Sequence, residues 1–135
     1  CGQARAMDGR VVAVPKPNEP DEVTLSVVEI VNGGVVRDVQ WTEVLTGGTL
    51  TSASVTTTGP ALLVAWWWGD AEAAQNKTAS PDSGFSVIDS VLIEGQLVQC
   101  AVAARQVDAA GTYSVTWNST PPQGAQLWLV AVQAA

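Results

Sequence analysis

Tyr113-Ser114-Val115-Thr116-Trp117-Asn118 alternates strictly between large and small polar side chains. Successive side chains of a strand point to opposite faces, so Tyr113, Val115 and Trp117 share a buried face while Ser114, Thr116 and Asn118 share a wetter one. The same period of two extends outward. Val98, Cys100, Val102 and Ala104 oppose Gln99, Ala101, Ala103 and Arg105. The run Leu62-Leu63-Val64-Ala65-Trp66-Trp67-Trp68 is apolar on both sides, with Leu62, Val64, Trp66 and Trp68 on one face and Leu63, Ala65 and Trp67 on the other. Such a strand needs cover on both faces or offers one of them to a partner. From residue 23 onward β-branched runs are separated by Gly, Thr, Ser and Pro clusters, and helical periodicity is scarce. Candidate strands are residues 22–31, 35–45, 49–57, 61–68, 85–93, 96–107, 111–117 and 126–133. That pattern predicts an all-β chain: an antiparallel β-sandwich of jelly-roll type with about eight strands. Asn32-Gly33-Gly34, Thr46-Gly47-Gly48, Glu94-Gly95 and Thr120-Pro121-Pro122-Gln123-Gly124 supply the turns. The long connection 69–84 is polar, carries Asp70, Glu72, Lys77 and Asp82, and sits where functional loops of β scaffolds often sit.

Composition narrows the function. The 135 residues include six Lys/Arg and thirteen Asp/Glu, for a net charge of −7, and no histidine. The length suits one domain, and 47% apolar against 14% charged residues is enough to bury a core. Without an imidazole, Ser-His-Asp and Cys-His catalysis and His-ligated metal sites are excluded. An acidic chain with its few cations spread along it is a poor ligand for nucleic-acid phosphates or an anionic membrane. The uncharged stretches 44–69 and 109–135 are broken by Thr, Ser, Gly, Gln and Pro121-Pro122, so neither spans a bilayer as a transmembrane helix. Residues 1–22 hold Arg5, Asp8, Arg10, Lys16, Glu19, Asp21 and Glu22 and three of the seven prolines. They read as an N-terminal arm or linker with a short strand at 11–14, ahead of a β-sandwich domain at 23–135.

Three segments carry a family likeness: Pro60-Ala61-Leu62-Leu63-Val64-Ala65-Trp66-Trp67-Trp68-Gly69-Asp70, then Ala101-Val102-Ala103-Ala104-Arg105-Gln106-Val107, then Ala110-Gly111-Thr112-Tyr113-Ser114-Val115-Thr116-Trp117. In this order they resemble an adhesion-like β-sandwich domain of secreted bacterial and phage structural proteins, over roughly residues 55–135. The resemblance implies an extracellular binding or structural module and brings no catalytic residues with it.

The triple tryptophan is the leading candidate site. Indole faces stack on the apolar faces of pyranose rings, and nearby amides and carboxylates read the hydroxyls. Trp66 and Trp68 would form a platform, with Asp70, Gln75 and Asn76 as polar partners; the bland alternatives are core packing and a subunit contact. Since Trp67 faces the other way, one face of this strand is expected to be core. Asp70, Glu72, Asp82 and Asp89 lack the spacing of a calcium loop, so no metal and no cofactor is expected. The same carboxylates are the ones a small glycosidase would use, a third reading that the absence of a long cleft disfavours. Cys1 and Cys100 allow one disulfide, but Cys100, mid-strand on an apolar face, reads as a buried free thiol. Cys1-Gly2 before a Pro-rich arm matches an acylated bacterial lipoprotein terminus, with a trimmed end as the alternative. The sequons Asn76-Lys77-Thr78 and Asn118-Ser119-Thr120 matter only in a eukaryotic secretory route. The expectation is a non-enzymatic extracellular or cell-surface adhesion or ligand-binding module, with carbohydrate as the first ligand class and a glycan or surface protein as partner. The alternative is a purely structural subunit of a phage or surface assembly, a homo-oligomer packing through the tryptophan-rich strand.

Overall fold

The computed structural model describes residue 13 and residues 24–31, 34–44, 46, 49–70, 78–82, 84–92, 98–121 and 123–135. The expected N-terminal arm with its short strand, the Cys1 terminus and the turn positions Asn32-Gly33, Gly47-Gly48, Glu94-Gly95 and Pro122 lie outside these, Ala13 apart. Among the described residues the chain is all β and has no helix. Its strands are β1 (Val35–Val44), β2 (Thr49–Thr51), β3 (Val55–Thr57), β4 (Ala61–Asp70), β5 (Ser80–Pro81), β6 (Ser86–Val91), β7 (Val98–Val107), β8 (Gly111–Tyr113), β9 (Thr116–Asn118) and β10 (Ala125–Gln133). A five-stranded sheet runs β1-β10-β4-β7-β6, beside the smaller sheets β2-β9-β5 and β3-β8. All described pairings are antiparallel, and the large sheet is open at β1 and β6 rather than closed into a barrel.

Two expected strands are each split in two. Thr51 pairs with Thr116 and Val55 with Tyr113, so residues 52–54 oppose only residues 114–115. One extra residue on one strand is the count of a β-bulge. Buried Ser52 bridges the gap: its N–H donates to the Val115 carbonyl (2.9 Å), and its Oγ accepts from the Val115 N–H (3.1 Å). The small strand β5 arises inside the stretch read as a long connection, where Ser80 and Pro81 pair with Asn118 and Trp117. Residues 24–31, the described part of the first expected strand, join no sheet.

The core lies on one face of the large sheet. Leu63, Ala65 and Trp67 of β4, Ala101 and Ala103 of β7, and Leu127, Leu129 and Ala131 of β10 are all fully buried there. They form one cluster with Leu50, Val55, Val115 and Trp117 from the smaller sheets and their flanks, and with Phe85 just before β6. Small residues surround the largest ring. Trp67 lies opposite Ala101 and Leu127, and a Cβ placed on Gly69 would come within 2.7 Å of its Cζ2, so the indole occupies the space a side chain at 69 would need. Polar ties fasten the rim of this core. Thr56 N–H donates to Asp38 Oδ2 (2.8 Å) and Ala53 N–H to Thr42 Oγ1 (3.2 Å), linking β1 to β3 and its approach. The Thr56 bond, with a second from Gln40 Nε2 to Oδ1 (2.9 Å), holds the Asp38 carboxyl below its ordinary value. Arg105 sits over the rings of Phe85 and Tyr113 at 5.9 and 5.8 Å.

Candidate functional site

The opposite face of the large sheet is apolar too. Leu62, Val64, Trp66 and Trp68 of β4 alternate with the core residues, as period two requires, and register aligns them with their neighbours. Trp41 of β1 pairs with Trp128 of β10, which pairs with Trp66 of β4, so three tryptophans form one row across three strands. The next row is Glu43, Gln126, Trp68 and Cys100.

Residues 24–31 cover part of this face. Thr24, Ser26, Val28 and Ile30 are half-buried while Leu25, Val27, Glu29 and Val31 are exposed. Val28 packs on the cluster of Val64, Cys100 and Val102, beside Leu62 and Trp66. Trp66 Nε1–H donates to Ser26 Oγ (3.3 Å), and Thr24 Oγ1–H reaches the Val98 carbonyl (3.5 Å). Burial in this apolar layer, with Asp89 adding like charge, pushes the Cys100 thiol up to about 11, and the thiol is free. Trp66 is thereby held in place under the segment.

The β1 and β10 side stays open. Trp41 is 54% exposed, and Trp68 and Trp128 are each 38% exposed, with Val36 and Val39 exposed beside them. The Trp41 and Trp128 rings stack with centroids 5.8 Å apart and planes 22° from parallel. Such a pair contributes about 1 kcal/mol beyond its area burial. Among the described residues no strand pairs beyond Trp41 on the edge strand.

Polar groups collect at one end of this surface. A shallow hollow of about 120 Å³ is lined by Glu43, Val44, Trp68, Asp70, Gly124, Ala125 and Gln126. It combines an indole, two carboxylates and a side-chain amide. Asp70 is exposed and its N–H donates to the Gly124 carbonyl (3.2 Å), which anchors the end of β4 to the approach to β10.

Of the residues expected to form the site, Trp68 and Asp70 meet at this hollow. Trp66 lies on the same face but half-buried, with its N–H engaged, and Gln75 and Asn76 lie outside the described residues. Trp67 is core. Sequence reasoning missed Trp41, Trp128, Glu43 and Gln126. Alternation places Trp41 with Glu43 and Trp128 with Gln126 on common faces, but the neighbour relation of β1, β10 and β4 has no local signal.

Asp82 and Asp89 each accept a backbone hydrogen bond elsewhere. Asp82 Oδ1 accepts from Thr116 N–H (2.9 Å) and Asp89 Oδ1 from Ser90 N–H (2.8 Å), while Glu72 is outside the described residues. Among the described residues no group of three or more Asp, Glu or Cys comes together as a metal site, and no helix is long and apolar enough to cross a membrane.

No protein-family model matches the chain, and no curated protein or solved structure matches it. What this face can bind is carried by its own geometry.

Proposed function

We propose that the protein is a non-enzymatic binding or adhesion module whose tryptophan face engages carbohydrate. The observation that carries this reading is the set Trp41, Trp128 and Trp68: three partly exposed indoles on one sheet face, bordered by Glu43, Gln126 and Asp70. Indoles supply stacking surface for sugar rings, and the carboxylates and amide supply directional hydrogen bonds to hydroxyls. A pre-stacked Trp41–Trp128 pair lowers the ordering cost of binding. The same proposal includes the finer architecture, an antiparallel β-sandwich of jelly-roll type, which the main core cluster shared by the large and small sheets supports. It also includes display outside the cell, supported by the likeness to adhesion-like domains of secreted bacterial and phage structural proteins.

A second reading has its own observation. Val36 and Val39 extend the exposed apolar surface past the tryptophans, which suits a subunit contact in a structural assembly. Iodide quenching of tryptophan fluorescence separates the two. Protection of the accessible tryptophans by a soluble glycan, with the protein monomeric by light scattering, is the expected result. A stable oligomer whose tryptophans no glycan protects overturns the carbohydrate reading in favour of the structural subunit.

A further inference from the structure

We infer that the ligand of the tryptophan face is a glycan without carboxylate, sulfate or phosphate groups, that is, a neutral or amino-bearing sugar chain. This rests on the proposed carbohydrate function and adds the charge class of the ligand. Trp68, the exposed indole at the hollow, is flanked there by the carboxylates of Glu43 and Asp70, with Gln126 as the remaining polar side chain. Glu43 and Gln126 lie in the same cross-strand row as Trp68, so a sugar stacked on that ring sits within reach of both. Farther along the tryptophan row, past Trp66 and Val102, stands Asp89.

The described cations do not offset this. Arg105 pairs with Leu63 in register, which places it on the core side of the sheet, where it lies over Phe85 and Tyr113. Arg37 lies beside the irregularity of β1 between Val36 and Asp38, four positions before Trp41. Among the described residues no cation lines the hollow, so a bound anion would meet the Glu43 and Asp70 carboxylates there. Like charges a few ångströms apart at a partly desolvated surface disfavour binding, and the same pair favours an ammonium group and also accepts hydrogen bonds from neutral hydroxyls. The chain's net charge of −7 acts in the same direction at longer range.

The test uses the full chain and three oligosaccharides of equal length: a glucosamine oligomer, its N-acetylated counterpart and a galacturonate oligomer. Fluorescence titration at low salt should place the first two at least about tenfold tighter than the third. Glu43→Gln with Asp70→Asn, checked for native circular dichroism, should narrow the gap between the glucosamine and galacturonate oligomers by weakening the first and tightening the second. Preference for the galacturonate oligomer, or a gap that the double variant leaves intact, overturns the charge selection while the glycan site stands. Failure of all three to bind overturns both this inference and the carbohydrate function.

Discussion

Adjacent tryptophans of one strand have opposite fates. Trp67 is fully buried among Ala65, Ala101, Ala125 and Gly69, whereas Trp68 is 38% exposed on the other side of the sheet. Trp67→Ala should destabilise the fold by about 3–5 kcal/mol, because no small neighbour can fill the space left. Trp68→Ala should cost at most about 1 kcal/mol and remove glycan binding. Urea titration of the two variants, with binding measured on the second, checks both outcomes. Cys100 gives a second residue-level expectation. The folded thiol titrates near 11 against an ordinary 9.0, so between these values the unfolded chain loses a proton that the folded chain keeps. Stability is therefore undiminished by this group below about pH 9 and falls as the pH rises toward 11. Cys100→Ala should flatten that alkaline decline in melts recorded across the window. The period-two reading identified the faces of Trp66, Trp67 and Trp68 because alternation is a local property of a strand. It did not distinguish half-buried Trp66 from exposed Trp68, since the difference comes from Ser26 and Val28 crossing over the first.

At the level of elements, five of the expected strands reappear with ends moved by a few residues, and the departures share a physical origin. The stretches 49–57 and 111–117 each carry an unbroken β pattern, yet the pair is offset by one residue at Ser52. A bulge is a property of two strands together and leaves little trace in either one. Ser52→Ala should leave the buried Val115 N–H without its acceptor and cost about 1–3 kcal/mol. Hydrogen exchange at Val115, slow in the wild-type protein and accelerated in the variant, checks it locally. Residues 24–31 alternate as a strand does, and half of them are turned toward the large sheet. Their backbone nevertheless joins no ladder, because they lie across the face of the sheet rather than along an edge. Strand order was equally hidden: β1 reaches the tryptophan surface only through β10, the last strand of the chain.

The whole molecule sets an exposed indole surface against a large negative charge. Repulsion at a net charge of −7 opposes self-association near neutral pH, and it vanishes near the isoelectric point of about 4.2. Light scattering should show the mass rising as the pH is lowered toward 4.2, and Trp41→Ser should reduce that rise. Charge balance was legible from composition alone, whereas the surface it guards required the three-strand register. The same register has an optical consequence. Two indoles held 5.8 Å apart and 22° out of parallel are coupled oscillators in a fixed chiral arrangement. Their shared excitation splits into bands of opposite sign in circular dichroism, a signal that disappears when either ring is replaced. The stacked pair is thus an intrinsic reporter at the proposed docking surface, one that would register the arrival of a ligand without any added label.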